Sequence, residues 1–192
     1  MPLLVRYGLW FWLFAAIAVC ASGALLKLPL PALQGMIVVL TALVIVAWRR
    51  IPAVRDWVNQ ADVRVLLALH VTRFIGAYFI YLYRHDLLPY DFAVRGGIGD
   101  IVVAAGALAL CVLPLAPSTR KSAIVIWNMF GLFDILFVVV TAAREGLQGN
   151  PQMRLLAVLP LGLLPTILVP LIIGTHIILF SRVLAREPRP SA

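Results

Sequence analysis

"RGGIGD", residues 95–100, runs without a break into "IVVAAGALALCVLPL", residues 101–115, and the fold turns on how that junction is read. A charged, glycine-rich hexapeptide ahead of an apolar run is either a phosphate-cradling loop or part of a membrane span that carries a carboxylate. The dinucleotide fingerprint needs a third glycine at its set spacing, a strand before it and a βαβ unit after it. None of these is present, and no Lys-Ser/Thr pair follows to make a Walker loop. Read as helix, Gly96, Asp100 and Ala104 fall at i, i+4 and i+8, a stripe of small residues suited to close helix contact. Asp100 then lies two turns inside a span.

The rest of the chain has the same character. Of 192 residues 63% are hydrophobic and only 12% charged, against roughly 45–50% and about 25% in a soluble domain. Several runs reach the roughly 20 apolar residues that cross a bilayer. The expected fold is therefore an all-α integral membrane protein, one polytopic domain over residues 1–192 with six transmembrane helices. The spans are placed at about Tyr7–Leu26, Leu33–Trp48, Val63–Tyr83, Phe92–Leu113, Ser122–Ala143 and Leu155–Phe180. Strands are excluded as spans because an open sheet edge has no partner in lipid. The first span carries one arginine ahead of it and "VCASGA" (19–24) near its end, a weak cleavage pattern. Its apolar run is long for a signal peptide, so it is read as a retained anchor.

The connections carry their own signals. "KLPLPA" (27–32), "LLPYD" (87–91), "LAPSTRKS" (115–122) and "REGLQGNPQMR" (144–154) break the runs with proline, glycine and charge. In "RRIPAVRDWVNQAD" (49–62), Ile51, Val54, Trp57, Val58 and Ala61 recur at helical spacing, with Arg55, Asp56, Asn59 and Gln60 opposite. This predicts a short amphipathic helix in the membrane interface between the second and third spans, with Asp62 as N-cap of the third.

The net charge is +8. In a membrane chain such an excess points to cytoplasmic loops facing anionic lipid, and nucleic acid is not an expected partner. With the N-terminus inside, ten cations fall on the cytoplasmic side: Arg6, Arg49, Arg50, Arg55, Arg64, Arg120, Lys121, Arg182, Arg186 and Arg189. Five fall opposite: Lys27, Arg84, Arg95, Arg144 and Arg154. Both termini are thus expected in the cytoplasm, with a bacterial cytoplasmic (inner) membrane as the setting. The two cysteines, Cys20 and Cys111, lie toward opposite ends of their spans and build neither a disulfide framework nor a metal site.

Six polar residues lie within the spans: His70 and Arg73 in the third, Asp100 in the fourth, Asn128 and Asp134 in the fifth, His176 in the sixth. A central Asp or Arg opposes insertion by about 2.5–3.5 kcal/mol, so these side chains should face the bundle interior. At the helical rise, His70, Asn128 and His176 lie about 9–12 Å from the cytoplasmic side, and Arg73, Asp134 and Asp100 about 16–21 Å. Side chains lean toward the N-terminus of their own helix. The third and fifth spans run outward and the fourth inward, so Arg73 is expected to pair with Asp134. Asp100 is left near an outer vestibule with Arg84, His85, Asp86 and Arg95. Pro160, Pro165 and Pro170 are expected to bend the sixth span and free carbonyls beside the polar core.

Three functions follow from this pattern. The first is a permease or channel-like protein that handles a proton, an ion or a small solute at Arg73, Asp100, Asp134, Asn128, His70 and His176. As 192 residues is short for a transporter, that reading calls for a homo-oligomer or a membrane-protein partner. The second is an accessory or assembly protein whose polar core is structural. The third is a membrane redox or metal protein with His70 and His176 as axial ligands of a b-type haem. "HDLLPYD" (85–91) is a weak outer-side metal candidate through His85, Asp86 and Asp91. No Ser/His/Asp order, zincin motif or nucleophilic Cys points to an enzyme.

Overall fold

Proline and glycine set the ends of the elements, and apolar runs set their lengths. The structure, a computed structural model, describes residues 1–184 apart from the side chains of residues 30 and 31. Arg186 and Arg189 lie outside the described residues. Helix α1 (Leu3–Ala21) stops at Gly23, whose φ of 69° is the left-handed turn a helix end favours. Helix α2 (Leu30–Arg50) gives way at Pro52 to α3 (Pro52–Gln60). Helix α4 (Val63–Leu69) tightens into a 3₁₀ segment, His70–Ile75, and continues as α5 (Gly76–Arg84). A π-helical turn, Asp91–Gly96, leads into α6 (Gly97–Val112). Then follow α7 (Pro117–Leu147), a 3₁₀ segment Pro151–Ala157, a second π-helical turn Leu164–Leu168, and α8 (Val169–Leu184). The described residues form no strand, and six helical stretches are long and apolar enough to cross a membrane.

Asp62 caps α4 as expected, accepting from the Arg64 amide at 2.8 Å. The segment 52–60 is helical, with Val58 buried, Val54 and Trp57 packed on the same cluster, and Arg55, Asp56, Asn59 and Gln60 exposed. Arg182 of α8 satisfies the carbonyls at the end of α3, donating Nη1 to Val58 O at 3.0 Å and Nη2 to Ala61 O at 2.9 Å. A basic side chain on terminal carbonyls is an effective C-cap.

Three spans depart from expectation, the first running Leu3–Ala21 where Tyr7–Leu26 is expected. The fifth extends beyond Ser122–Ala143 to the 31 residues of α7. The sixth is not one bent helix from Leu155: regular helix begins only at Val169. Proline lacks the N–H that would bond the carbonyl four residues back, so Pro160 and Pro165, five apart, remove successive rungs. The Leu161 carbonyl is taken instead by the Leu164 amide at 3.0 Å. Pro170 falls in the first turn of α8, where the missing donor does no harm. The carbonyl it frees, Thr166 O, accepts from Trp12 Nε1 of α1 at 2.9 Å.

The bundle is layered around α8, half of whose span window is buried, against 17% for the windows of α1 and α2. Helices α5 and α6 meet at glycines: a Cβ on Gly97 would lie 2.7 Å from the Gly76 carbonyl oxygen, and one on Gly76 would strike Gly97 O. We predict that Gly97→Ala costs about 1–3 kcal/mol, the range for overpacking. Gly35→Ala, in open space mid-helix, should be neutral or stabilise by about 0.5–1 kcal/mol. Thermal unfolding in detergent checks both, and equal stability of the two variants would refute the close approach.

Candidate functional site

Local irregularity places the polar residues. In 3₁₀ geometry residues three apart eclipse, so the segment His70–Ile75 sends His70 and Arg73 out on one side, and both are buried. Thr72 marks the tightened turn, its hydroxyl donating back to Leu69 O at 2.6 Å. The "RGGIGD" stretch is helix, and its glycines serve three partners. Gly96 faces Val138 of α7, Gly97 faces the Gly76 backbone, and a Cβ on Gly99 would strike the Asp134 carboxylate. The stripe Gly96, Asp100, Ala104 faces inward throughout.

Arg73 is the centre of the site. It is 1% exposed, and each face of its guanidinium is engaged. Nε donates to Asp100 Oδ1 at 2.6 Å, Nη1 to Gly131 O at 2.9 Å, and Nη2 to Asp134 Oδ2. Charge-assisted bonds of this kind are roughly twice as strong as neutral ones. Each carboxylate gives one oxygen to Arg73, and no hydrogen bond among the described residues engages the other. A cavity of about 50 Å³ abuts the cluster, with Arg73, Asp100 and Gln34 in a lining otherwise made of side chains such as Phe79, Phe92 and Leu168. That volume exceeds the roughly 10–15 Å³ one water needs.

The placement of Asp100 corrects the expectation that it stands apart near an outer vestibule. It is 3% exposed and bonded to Arg73 together with Asp134. The direction of lean along a helix is worth about one turn, and the glycine contact between α5 and α6 brings the two backbones close enough to override it. The vestibule residues have other partners. Arg95 pairs with Asp91 one turn away at 3.3 Å, Arg144 also holds Asp91, and His85 stacks on Tyr81 at 4.4 Å between ring centres.

Below Arg73 lie the two imidazoles. His70 and His176 are both 0% exposed, with ring centres 4.2 Å apart, and Trp127 packs on both. His176 Nδ1 lies 2.7 Å from Asn128 Oδ1, and His70 Nε2 lies 3.1 Å from Thr175 Oγ1. Gly131 joins the layers: its carbonyl receives Arg73, and a Cβ there would stand 2.7 Å from His176 Cε1 and 3.1 Å from Nε2. All six residues singled out in the sequence thus form one column. Gly131, Thr175 and Trp127 were not foreseen, because a backbone carbonyl or an ordinary core side chain leaves no polar signature in an apolar run.

The geometry does not suit a haem or a metal between the histidines. A metal held about 2.0–2.1 Å from each imidazole nitrogen keeps ring centres well beyond 4.2 Å. A haem would have to fit its plane between rings whose centres lie 4.2 Å apart. Among the described residues no group of three or more His, Cys, Asp or Glu is placed to hold a metal ion. His85, Asp86 and Asp91 make no such group.

The chain belongs to the family described as "Domain of unknown function (DUF8737)", matched over residues 30–184. Helix α1 precedes the matched region. No curated protein and no solved structure matches the chain.

The cluster carries two carboxylates and one cation, which sets an unusual order of mutant stabilities. Arg73→Leu strands two buried anions and should cost about 3–5 kcal/mol or more. Asp100→Asn or Asp134→Asn leaves one balanced pair and an amide oxygen still able to accept, so each should cost no more than about 1.5 kcal/mol. Changing both aspartates to Asn strands Arg73 and should again cost about 3–5 kcal/mol. Thermal unfolding in detergent ranks the four variants. Single Asn variants as unstable as Arg73→Leu would show that both charges are needed for folding.

Proposed function

We propose that this chain is a small permease or channel-like membrane protein whose Arg73–Asp100–Asp134 cluster takes up and releases a monovalent cation, the proton included. One observation carries the reading. Two buried carboxylates share one guanidinium, so with both ionised the cluster holds one more negative charge than positive. An isolated buried charge is strongly disfavoured, and one bound cation restores neutrality. The second oxygen of Asp100, which lines the adjoining 50 Å³ cavity with Arg73, gives that cation somewhere to sit. Ionisable groups inside a span most often mark such pathways, and π-helical turns, present here before α6 and α8, are common at functional sites.

Insertion in a bilayer is supported by the outward apolar side chains, among them Phe11, Phe14, Val38, Phe133 and Val140. A contiguous apolar surface on that scale is foreign to soluble monomers. We place both termini in the cytoplasm of a bacterial cell, with α3 flat on the inner leaflet and Arg49, Arg50 and Arg55, all exposed, against anionic headgroups.

The test is purified protein in liposomes, with an imposed membrane potential and separate readouts of proton, sodium and potassium flux. Wild type should pass at least one cation above protein-free vesicles, and Asp100→Asn or Asp134→Asn should reduce that flux at least tenfold. Absence of any cation flux would assign the polar core a structural role instead. Topology is checked after Cys20 and Cys111 are replaced: an impermeant thiol reagent outside the cell should label Gln148→Cys and spare Asn59→Cys. The reverse pattern would invert the orientation.

A further inference from the structure

Cation binding accounts for the carboxylates and leaves the histidine pair unused. Its hydrogen bonds fix where the ring protons are. Asn128 Nδ2 donates to the His176 carbonyl at 3.0 Å, so Oδ1 is the atom facing His176 Nδ1 at 2.7 Å. Oδ1 accepts only, so Nδ1 carries the hydrogen and Nε2 is the bare lone pair. Thr175 does the same for His70. Its one hydroxyl hydrogen is drawn to its own helix, with Leu171 O at 2.8 Å and Ile172 O at 2.9 Å. Its oxygen therefore accepts from His70 Nε2 at 3.1 Å, and His70 Nδ1 is bare. His176 Nε2 and His70 Nδ1 are indeed the two imidazole nitrogens that, among the described residues, are buried without a hydrogen-bond partner.

Two neutral imidazoles in contact, each anchored by its N–H and each with an unused basic nitrogen, are proton acceptors held ready. Nearly all buried polar atoms in folded proteins are paired, so two orphans in one spot call for an explanation. Their surroundings supply it. Arg73 lies one 3₁₀ turn from His70, and Asp100 from α6 and Asp134 from α7 balance it. The remaining polar neighbours, Trp127 and Asn128 of α7 and Thr175 of α8, are uncharged. Along the bundle the pair lies between the carboxylates and the end where Arg182 holds α3.

We infer that the cation carried by the core is the proton, and that His70 and His176 relay it between the α3 end of the bundle and the Asp100–Asp134 carboxylates; the inference rests on the cation-handling reading above. An excess proton bonds to the Nε2 lone pair of His176, giving an imidazolium whose Nδ1–H still donates to Asn128. Arg73 beside it makes that imidazolium short-lived. The proton leaves Nε2 for a carboxylate oxygen, which restores the neutral ring and gives a carboxylic acid beside a one-to-one ion pair. His70, in ring contact with His176, offers the second acceptor on the same route.

The test uses the full-length protein in liposomes with a pH-sensitive dye inside and a potassium–valinomycin potential. Proton flux is expected in wild type, reduced at least tenfold by His176→Phe and by His70→Phe, and unchanged by His85→Phe, whose parent is an exposed residue stacked on Tyr81. Proton flux that survives both core substitutions overturns the relay and leaves the cation reading standing, as does sodium or potassium flux without proton flux. No cation flux at all overturns both. A second measurement needs no variant: ¹⁵N NMR of histidine-labelled wild type should show His176 protonated at Nδ1 and His70 at Nε2. A hydrogen on His176 Nε2 would sink the relay whatever the variants do.

Discussion

A buried guanidinium must find an acceptor for each edge of its fork, and Arg73 finds three on two other helices. Asp100 comes from α6, and Gly131 O and Asp134 from α7. Those bonds fix the rotation of the 3₁₀ segment relative to both helices, and with it the position of His70 one turn away. The cost of stranding any member ties the rest of the interior to this contact, since a buried charge without its partner is among the most destabilising arrangements known. The excess carboxylate makes the same cluster more than a clamp.

Close approach of backbones is what makes that coordination possible. Gly76 and Gly97 let α5 and α6 touch, Gly99 leaves room for the Asp134 carboxylate, and Gly131 lets His176 lie against α7. A methyl group at any of these positions would push apart side chains whose bonds are 2.6–3.0 Å long. Between helices in an apolar solvent there is little hydrophobic drive, and small residues with polar cross-links hold them together. Glycine packing and the polar column are therefore one design.

The irregular turns have a related logic. The 3₁₀ and π-helical segments and the proline-broken approach to α8 displace backbone hydrogen bonds, and side chains take up helix carbonyls at three places in the fold. Trp12 takes Thr166 O, Thr175 bonds back to Leu171, and Arg182 takes the end of α3. Helix α1, which precedes the family's matched region, is held to the rest of the bundle in part by that one indole N–H.

The sequence by itself determined the helical class, the six apolar stretches, the helix at 52–60, the Asp62 cap of α4 that follows it, and the six polar residues of the interior. Those follow from hydropathy, period and cost of burial, which are local properties that a run of residues carries wherever it lies. It also answered the question posed by "RGGIGD", which lacks the partners of a phosphate loop. Only the tertiary structure decided that Asp100 shares Arg73 with Asp134, that the two histidines touch and leave no room for a metal, and that the last apolar stretch turns to regular helix only at Val169, after a π-helical turn. Such features depend on lateral distance between helices and on a helical phase shifted by 3₁₀ and π turns. Spacing along one helix gives depth and lean, whereas glycine against glycine, on the neighbouring helices α5 and α6, sets how near two side chains can come.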